Sequence, residues 1–265
     1  MPTDNRLPLN RIERENRPDG SILLHNRAPL PDPLPDILDR FDHWTALDSN
    51  ATFISERAND GIRTTSYGEI DGRSDALAHD LAARGLAKGD AVAIIDGAGV
   101  LHAALKLACL KAGLVHVPLS PLLLASEHGR SRLAGLLTAA EPCLTVVPAQ
   151  TLPEELVALC GTVTTPGELS EVAAAQTPFE RPAADPSDPA AIYFTSGSTG
   201  DPKGVSITRR MIASCQSAYG VHWPFLAAHR PALIDWLPWH HVFGGLDNFH
   251  KMIWYGGAYH VELPP

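Results

Sequence analysis

Apolar positions along the chain follow two alternating periods. From Ile37 to Trp44 they fall at 37, 38, 41 and 44, the spacing of one helical face. Thr52-Phe-Ile-Ser55 reads as a short strand and Asn59-Asp-Gly61 as a turn. Residues 64–70 read as a strand passing into a helix whose Ile70, Leu77 and Leu81 share a face, with Gly85 placed to stop it. Residues 91–95 are apolar throughout, as in a strand buried on both sides. The spacing then predicts a helix over 100–111 with Leu101, Ala104, Leu105, Ala108 and Cys109 inward, a stop at Gly113 and a strand over 114–118. A helix over 126–140, a strand over 143–147, a short helix over 153–159 and a short strand over 162–165 follow. Strands separated by helices of this length predict βαβ units, right-handed crossovers and a mainly parallel sheet.

The pattern also divides the chain. Residues 1–35 are polar and proline-rich, which favours an extended N-terminal arm wrapped on the body. Residues 36–165 form a first α/β subdomain, 166–189 an Ala- and Pro-rich connecting segment, and 190–265 the start of a second α/β subdomain. In that last part 192–194, 205–208, 232–237 and 258–262 read as strands, and 209–219 and 246–255 as helices, with Gly256-Gly257 ending the second helix. The expected fold class is α/β, mainly parallel sheets with flanking helices.

Composition narrows the function classes. A formal charge of −9 without any Lys/Arg cluster argues against a nucleic-acid surface. No 18-residue apolar run is present, so no membrane span is expected. The opening Met-Pro-Thr-Asp-Asn-Arg lacks an apolar signal core, and a cytoplasmic location is expected. The four cysteines (Cys109, Cys143, Cys160, Cys215) lie far apart and read as reduced, mostly buried small residues. Twelve histidines are scattered without an HExxH pattern, so no metal site is expected, and all but one read as surface or satisfied core groups.

Two stretches carry chemistry. The apolar run Ile192-Tyr-Phe194 breaks into Thr195-Ser-Gly-Ser-Thr-Gly200, then Lys203 and a second β-branched run. Small hydroxyl residues and glycines let a backbone approach closely and donate hydrogen bonds, and the lysine adds positive charge. That describes a polyphosphate cradle, although the order of residues is not that of a Walker A loop. In Trp236-Leu-Pro-Trp-His-His-Val-Phe-Gly-Gly245 a strand ends in proline and presents two histidines between Trp239 and Phe243. Loops at strand carboxyl ends bind ligands in open α/β sheets, and aromatic walls with one polar handle suit an organic acid.

Tyr193-Phe-Thr-Ser-Gly-Ser-Thr-Gly-Asp-Pro-Lys-Gly204 resembles the signature of the adenylate-forming (AMP-dependent synthetase/ligase) superfamily. Leu237-Pro-Trp-His-His-Val-Phe-Gly244 fits the L-P-x-x-H-x-x-G pattern of its acyl- and aryl-CoA synthetase branch. Thr65-Ser-Tyr-Gly-Glu-Ile70 and Leu107-Ala-Cys-Leu-Lys-Ala-Gly-Leu-Val-His-Val-Pro-Leu119 are similar to two further segments of the family, which by themselves are packing signals. More narrowly, Arg17-Pro-Asp-Gly-Ser-Ile-Leu-Leu24, Trp236 to Gly245 and Trp254-Tyr-Gly-Gly257 look most like feruloyl-CoA synthases. The resemblance implies a carboxylate attacking the α-phosphorus of ATP to give an acyl-adenylate, which CoA then converts to a thioester. It implies that Thr195, Ser196, Gly197, Ser198, Thr199, Gly200 and Lys203 hold the ATP phosphates with Mg²⁺. His241 would serve the acyl site catalytically, in a pocket formed with Trp239, Phe243, Gly244 and Gly245. Adenylation domains of peptide synthetases carry Phe-Asp where this chain has His241-Val242, which disfavours an amino-acid substrate.

The family's later motifs, including its adenylation lysine, do not occur before Pro265. The expectation is therefore an N-terminal portion that is inactive in isolation, with a missing C-terminal portion or self-association through an exposed edge. The alternatives are a non-catalytic remnant or partner subunit of a split synthetase, and an unrelated phosphate-binding protein.

Overall fold

Two sheets interleave along the sequence. The computed structural model describes residues 12–26, 32, 34–58, 61–148, 152–170, 172, 175, 177–195 and 203–262. The strands are β1 (Ile12–Asn16), β2 (Ile22–Asn26), β3 (Thr52–Ala58), β4 (Gly61–Ser66), β5 (Ala91–Ile95), β6 (Val115–Leu119), β7 (Leu144–Val146), β8 (Thr162–Thr164), β9 (Pro189–Thr195), β10 (Lys203–Thr208), β11 (Ala232–Asp235) and β12 (Ala258–Val261). The helices are α1 (Ile37–Leu47), α2 (Tyr67–Ala83), α3 (Val100–Ala112), α4 (Glu127–Ala140), α5 (Glu154–Val157), α6 (Pro166–Ser170), α7 (Arg209–His222), α8 (Phe225–Ala228) and α9 (Phe249–Tyr255). A six-stranded sheet runs β10-β9-β6-β5-β7-β8, parallel except at β10, and a four-stranded sheet runs β11-β12-β3-β4, parallel except at β4. The α/β class with mainly parallel sheets is as expected.

The expected division at 166–189 does not separate two sheets. β9 pairs with β6, and β12 pairs with β3, so each sheet draws strands from both sides of the connecting segment. Hydrophobic periodicity marks strands but says nothing about which distant strand each will pair with. The arm also differs from expectation: residues 12–26 form the antiparallel hairpin β1–β2. Gly20, at φ +83°, and the Asp19 side chain, accepting from Ser21 N at 2.9 Å, reverse the chain between the two strands.

The core follows strand alternation. Along β5, Val92 and Ile94 point into a core shared by α1, α2, α3, α7, α9, β3 and β12. Ala91, Ala93 and Ile95 point to the other face, against β6 and α4. Helix α3 is buried from His102 through Ala112 and ends at Gly113, whose φ of +71° is a left-handed cap. The segment resembling the family's T-Y-x-E-L motif is a capping box: Ser66 Oγ accepts from Glu69 N at 3.2 Å and Glu69 Oε2 from Ser66 N at 2.7 Å. In the other family-like segment, Lys111 is buried and reaches Asp71 and Asp75 on α2, each at 2.6 Å. Cys109 and Cys160 are buried, while Cys143 and Cys215 are exposed, so the expected burial holds for two of the four. Among the described residues no helix is long and apolar enough to cross a membrane.

Candidate active site

Strand β9 turns Tyr193 into the core and ends at Thr195, which lies opposite Lys203 at the start of β10. Both residues are exposed. Ser196, Gly197, Ser198, Thr199 and Gly200, the rest of the expected phosphate cradle, lie outside the described residues. Gly204 has a packing reason: a Cβ there would stand 3.0 Å from Ile192 and 3.1 Å from Phe194. The strand pair thus brings a hydroxyl residue and a lysine together at the two ends of the loop, a donor set that suits phosphate oxygens.

The second stretch follows β11. The peptide N–H of His241 donates to Pro238 O at 3.1 Å, and Gly245 N donates to His241 O at 2.9 Å. A π-helical turn over Val242–Asn248 leads into α9, where one continuous helix from 246 was expected. Glycine is required on the turn's inner side: a Cβ on Gly245 would lie 1.9 Å from the Trp239 carbonyl oxygen, and one on Gly244 2.9 Å from Leu237 O. π-Helical turns concentrate at functional sites because they re-aim side chains within a helix.

Between this turn and α7 lies a cavity of about 380 Å³. Ile207, Met211, Ile212, Val242, Phe243 and Leu246 form its apolar wall, and Asp247 with Gln216 and Tyr219 its polar part. Asp247 Oδ2 accepts from Lys251 Nζ at 2.9 Å and Tyr219 Oη at 3.0 Å, and Oδ1 accepts from Gln216 Nε2 at 3.2 Å. The cavity therefore holds a neutralised ion pair. Lys203 and Ile207 lie four residues apart on β10, about 13 Å along a strand, so one strand links the phosphate-loop end to the cavity.

The residues expected to form the acyl pocket divide. Phe243 lines the cavity and is 60% exposed. His241 is exposed and begins the turn, and it is not among the lining residues. Trp239 is buried and does not line this cavity; it donates from Nε1 to Tyr259 Oη at 3.0 Å. Tyr259 in turn reaches Asp235 Oδ2 at 2.5 Å, and Asn248 Nδ2 joins the same oxygen at 2.9 Å. Gly244 and Gly245 are buried behind the turn and likewise form no part of the wall. A strand-end tryptophan that can satisfy its N–H internally gains more from burial than from facing a pocket.

Sequence reasoning missed the α7 wall, Asp247 and a buried basic group. His102, Lys106, His116 and His250 are each no more than 2% exposed. Burial drives the His102 imidazole down to about 4 and drives Lys106, His116 and His250 well below their ordinary values. A lysine set within an otherwise apolar helix stretch, Ala104-Leu-Lys-Leu-Ala108, was the available signal. Half-buried His240, beside the turn, is also pushed down to about 4, by burial first and by His241 second.

The chain matches the family model described as AMP-binding enzyme over residues 41–262. It is 30% identical over 222 residues to a probable non-canonical nonribosomal peptide synthetase, CymA, of Salinispora arenicola, covering 79% of this chain and 3% of that protein. It is 31% identical over 194 residues to the fatty acid–[acyl-carrier-protein] ligase ScoC of Streptomyces coeruleorubidus, covering 71% of this chain and 35% of that one. The structure of ATP-bound MatB from Rhodopseudomonas palustris superposes with a TM-score of 0.72 at 27% identity, covering 87% of this chain and 46% of the other. The chain thus spans under half the length of each of these three proteins. The chain belongs to the AMP-binding enzyme family and is an adenylate-forming ligase domain.

Proposed function

We propose that this chain supplies the phosphate-binding strand pair and the acyl pocket of a ligase acting on a carboxylic acid with an apolar ring or chain and no α-amino group. The observation that carries this reading is the cavity beside the π-helical turn. Val242 stands in its wall, and Asp247, the carboxylate there, is already engaged by Lys251, Tyr219 and Gln216. A substrate ammonium entering that space would find no carboxylate without a partner, and burying it unpaired is costly.

In the reaction a carboxylate oxygen bonds to the α-phosphorus of ATP while the bond to the β-phosphate bridging oxygen breaks and pyrophosphate leaves. A thiolate then bonds to the acyl carbon and AMP departs. Negative charge grows on phosphoryl oxygens, so donors and cations carry the first step. Thr195 to Gly200 and Lys203 are assigned to the phosphates of Mg²⁺-bound ATP, and His241, exposed at the head of the turn, to the acyl carboxylate. CoA as the thiol follows from the sequence resemblance; ScoC by its name charges an acyl carrier protein, so both thiols are candidates to assay. Ferulate is the first acid to test.

Binding of acyl-sulfamoyl-adenosine analogues decides the acid class without requiring turnover. Feruloyl or octanoyl analogues are expected to raise the Tm of the chain, and phenylalanyl or other aminoacyl analogues to leave it unchanged. The reverse order would refute the reading.

A further inference from the structure

Helix α3 carries a lysine amine into the centre of the molecule. Lys106 is 2% exposed, and its Nζ donates to the carbonyl of Gly245 in the π-helical turn. The same Nζ lies 3.5 Å from Tyr193 Oη on β9, two residues before the phosphate loop begins at Thr195, and 4.3 Å from the centre of the Phe249 ring on α9. Among the described residues no carboxylate pairs with it.

Three buried imidazoles, His102, His116 and His250, belong to the same interior. His102 Nδ1 is 2.9 Å from Gly97 O and so carries its proton there, which leaves Nε2 to accept from His116 Nε2 at 2.9 Å. His116 Nδ1 is then an unprotonated lone pair, and it has no partner. His250 donates from Nδ1 to Leu246 O at 2.6 Å, and its Nε2 is likewise unpartnered. Burial first, and the neighbouring Lys106 after it, disfavour protonation of all three rings. A buried lysine among three neutral histidines contributes little as an ion pair. What it does is join a carbonyl of the acyl-pocket turn to the strand that leads into the phosphate loop.

We infer that Lys106 is a positioning residue which holds the acyl-pocket turn in register with the phosphate-loop strand, so that carboxylate and α-phosphate meet at a fixed separation. The inference rests on the acyl-pocket assignment above for its chemistry, and on the geometry alone for the tie between the two segments. Loss of the amine should loosen two segments that are distant in sequence and leave the rest of α3 in place. A methionine keeps the length and apolar stem of the lysine and removes only the donor.

Hydrogen–deuterium exchange on the full chain tests the tie. Lys106→Met is expected to speed exchange about tenfold in both 242–248 and 191–195, with unchanged rates in β5, β7 and α4. Tyr193→Phe is expected to do so in 191–195 alone. Exchange that rises only around residues 102–110, or not at all, overturns the inference. Global loss of protection in Lys106→Met would leave Tyr193→Phe as the deciding variant: strand-confined loosening supports the tie, and wild-type protection removes it. With feruloyl- and octanoyl-sulfamoyl adenosine as probes, Lys106→Met should weaken these bisubstrate ligands at least tenfold while changing the Kd of ATP less than threefold. Equal weakening of both indicates a merely structural role and counts against positioning. Absence of analogue binding to the wild-type chain speaks against the proposed acid class instead, and the exchange arm still decides the tie.

Discussion

Individual side chains of the candidate site differ in whether packing constrains them. Lys203 is exposed at the start of β10, and among the described residues no ion pair holds it. Lys203→Ala should therefore leave stability within about 0.5 kcal/mol of wild type, since exposed substitutions rarely do more. The same change should weaken ATP binding roughly tenfold or more, the usual cost of one charge-assisted hydrogen bond. Calorimetric titration with ATP checks the second outcome and urea unfolding the first. Gly245 is the opposite case. Its missing Cβ would fall 1.9 Å from a backbone oxygen that has no freedom to rotate away. Gly245→Ala should cost on the order of 3 kcal/mol, at the upper end of overpacking effects, and should distort the cavity wall with it. Unfolding at an unaltered urea midpoint would show that the turn can relax. In the sequence these two residues looked alike, both parts of glycine-bearing motifs, and only the neighbours of each distinguish an exposed side chain from a steric requirement.

At the level of elements, local chemistry sets the helix ends and long-range pairs tie the helices together. Asp36 does both. Its Oδ1 accepts from Leu38 N at 2.8 Å as the N-cap of α1, and the same carboxylate receives Arg209, the first residue of α7, at 2.8 and 2.9 Å. Asp36→Asn should keep the cap and lose the ion pair, and Asp36→Ala should lose both. The difference between the two variants, about 1 kcal/mol in chemical denaturation, reports the cap alone. Gly72 is a contrasting position, exposed within α2 with nothing near its missing Cβ. Gly72→Ala is expected to stabilise the chain by about 1 kcal/mol, because glycine within a helix pays extra backbone entropy; a lower Tm would contradict that. Elements of this kind were legible in the sequence. The 3.6 and 2.0 periods, the Ser66–Glu69 box and the stops at Gly85, Gly113 and Gly256 depend on neighbours a few residues away. The π-helical turn was not legible, because its geometry answers to the segment at 237–239 that it packs against.

Across the whole molecule, the buried histidines make stability depend on pH. His102 and His240 fall to about 4, and His116 and His250 are also lowered, in each case chiefly by burial. In the unfolded chain these rings titrate near their ordinary value of about 6.5, so between there and about 4 the unfolded state binds more protons. The contribution is fully present above about 6.5 and is lost as the pH falls toward 4. Tm measured over that interval should drop steeply, and His102→Gln should flatten the slope; a Tm constant across it would mean that the rings are not buried neutral. Charge, burial and position act together here, and none is a property of one segment.

The sequence by itself determined the α/β class, most strands and helices, the family, and the stretch from Thr195 to Lys203 as the phosphate-binding candidate, because all of these reside in local order and spacing. Only the tertiary structure decided the strand partners that interleave the two sheets, the burial of Trp239 behind the π-helical turn, and the cavity that α7 completes. It also decided that Lys106, which sequence reasoning had passed over, stands at the centre between β9 and the turn. The physical reason is the same in each case: periodicity records which face of an element is apolar, whereas partner, register and enclosure depend on residues brought together from far apart in the chain.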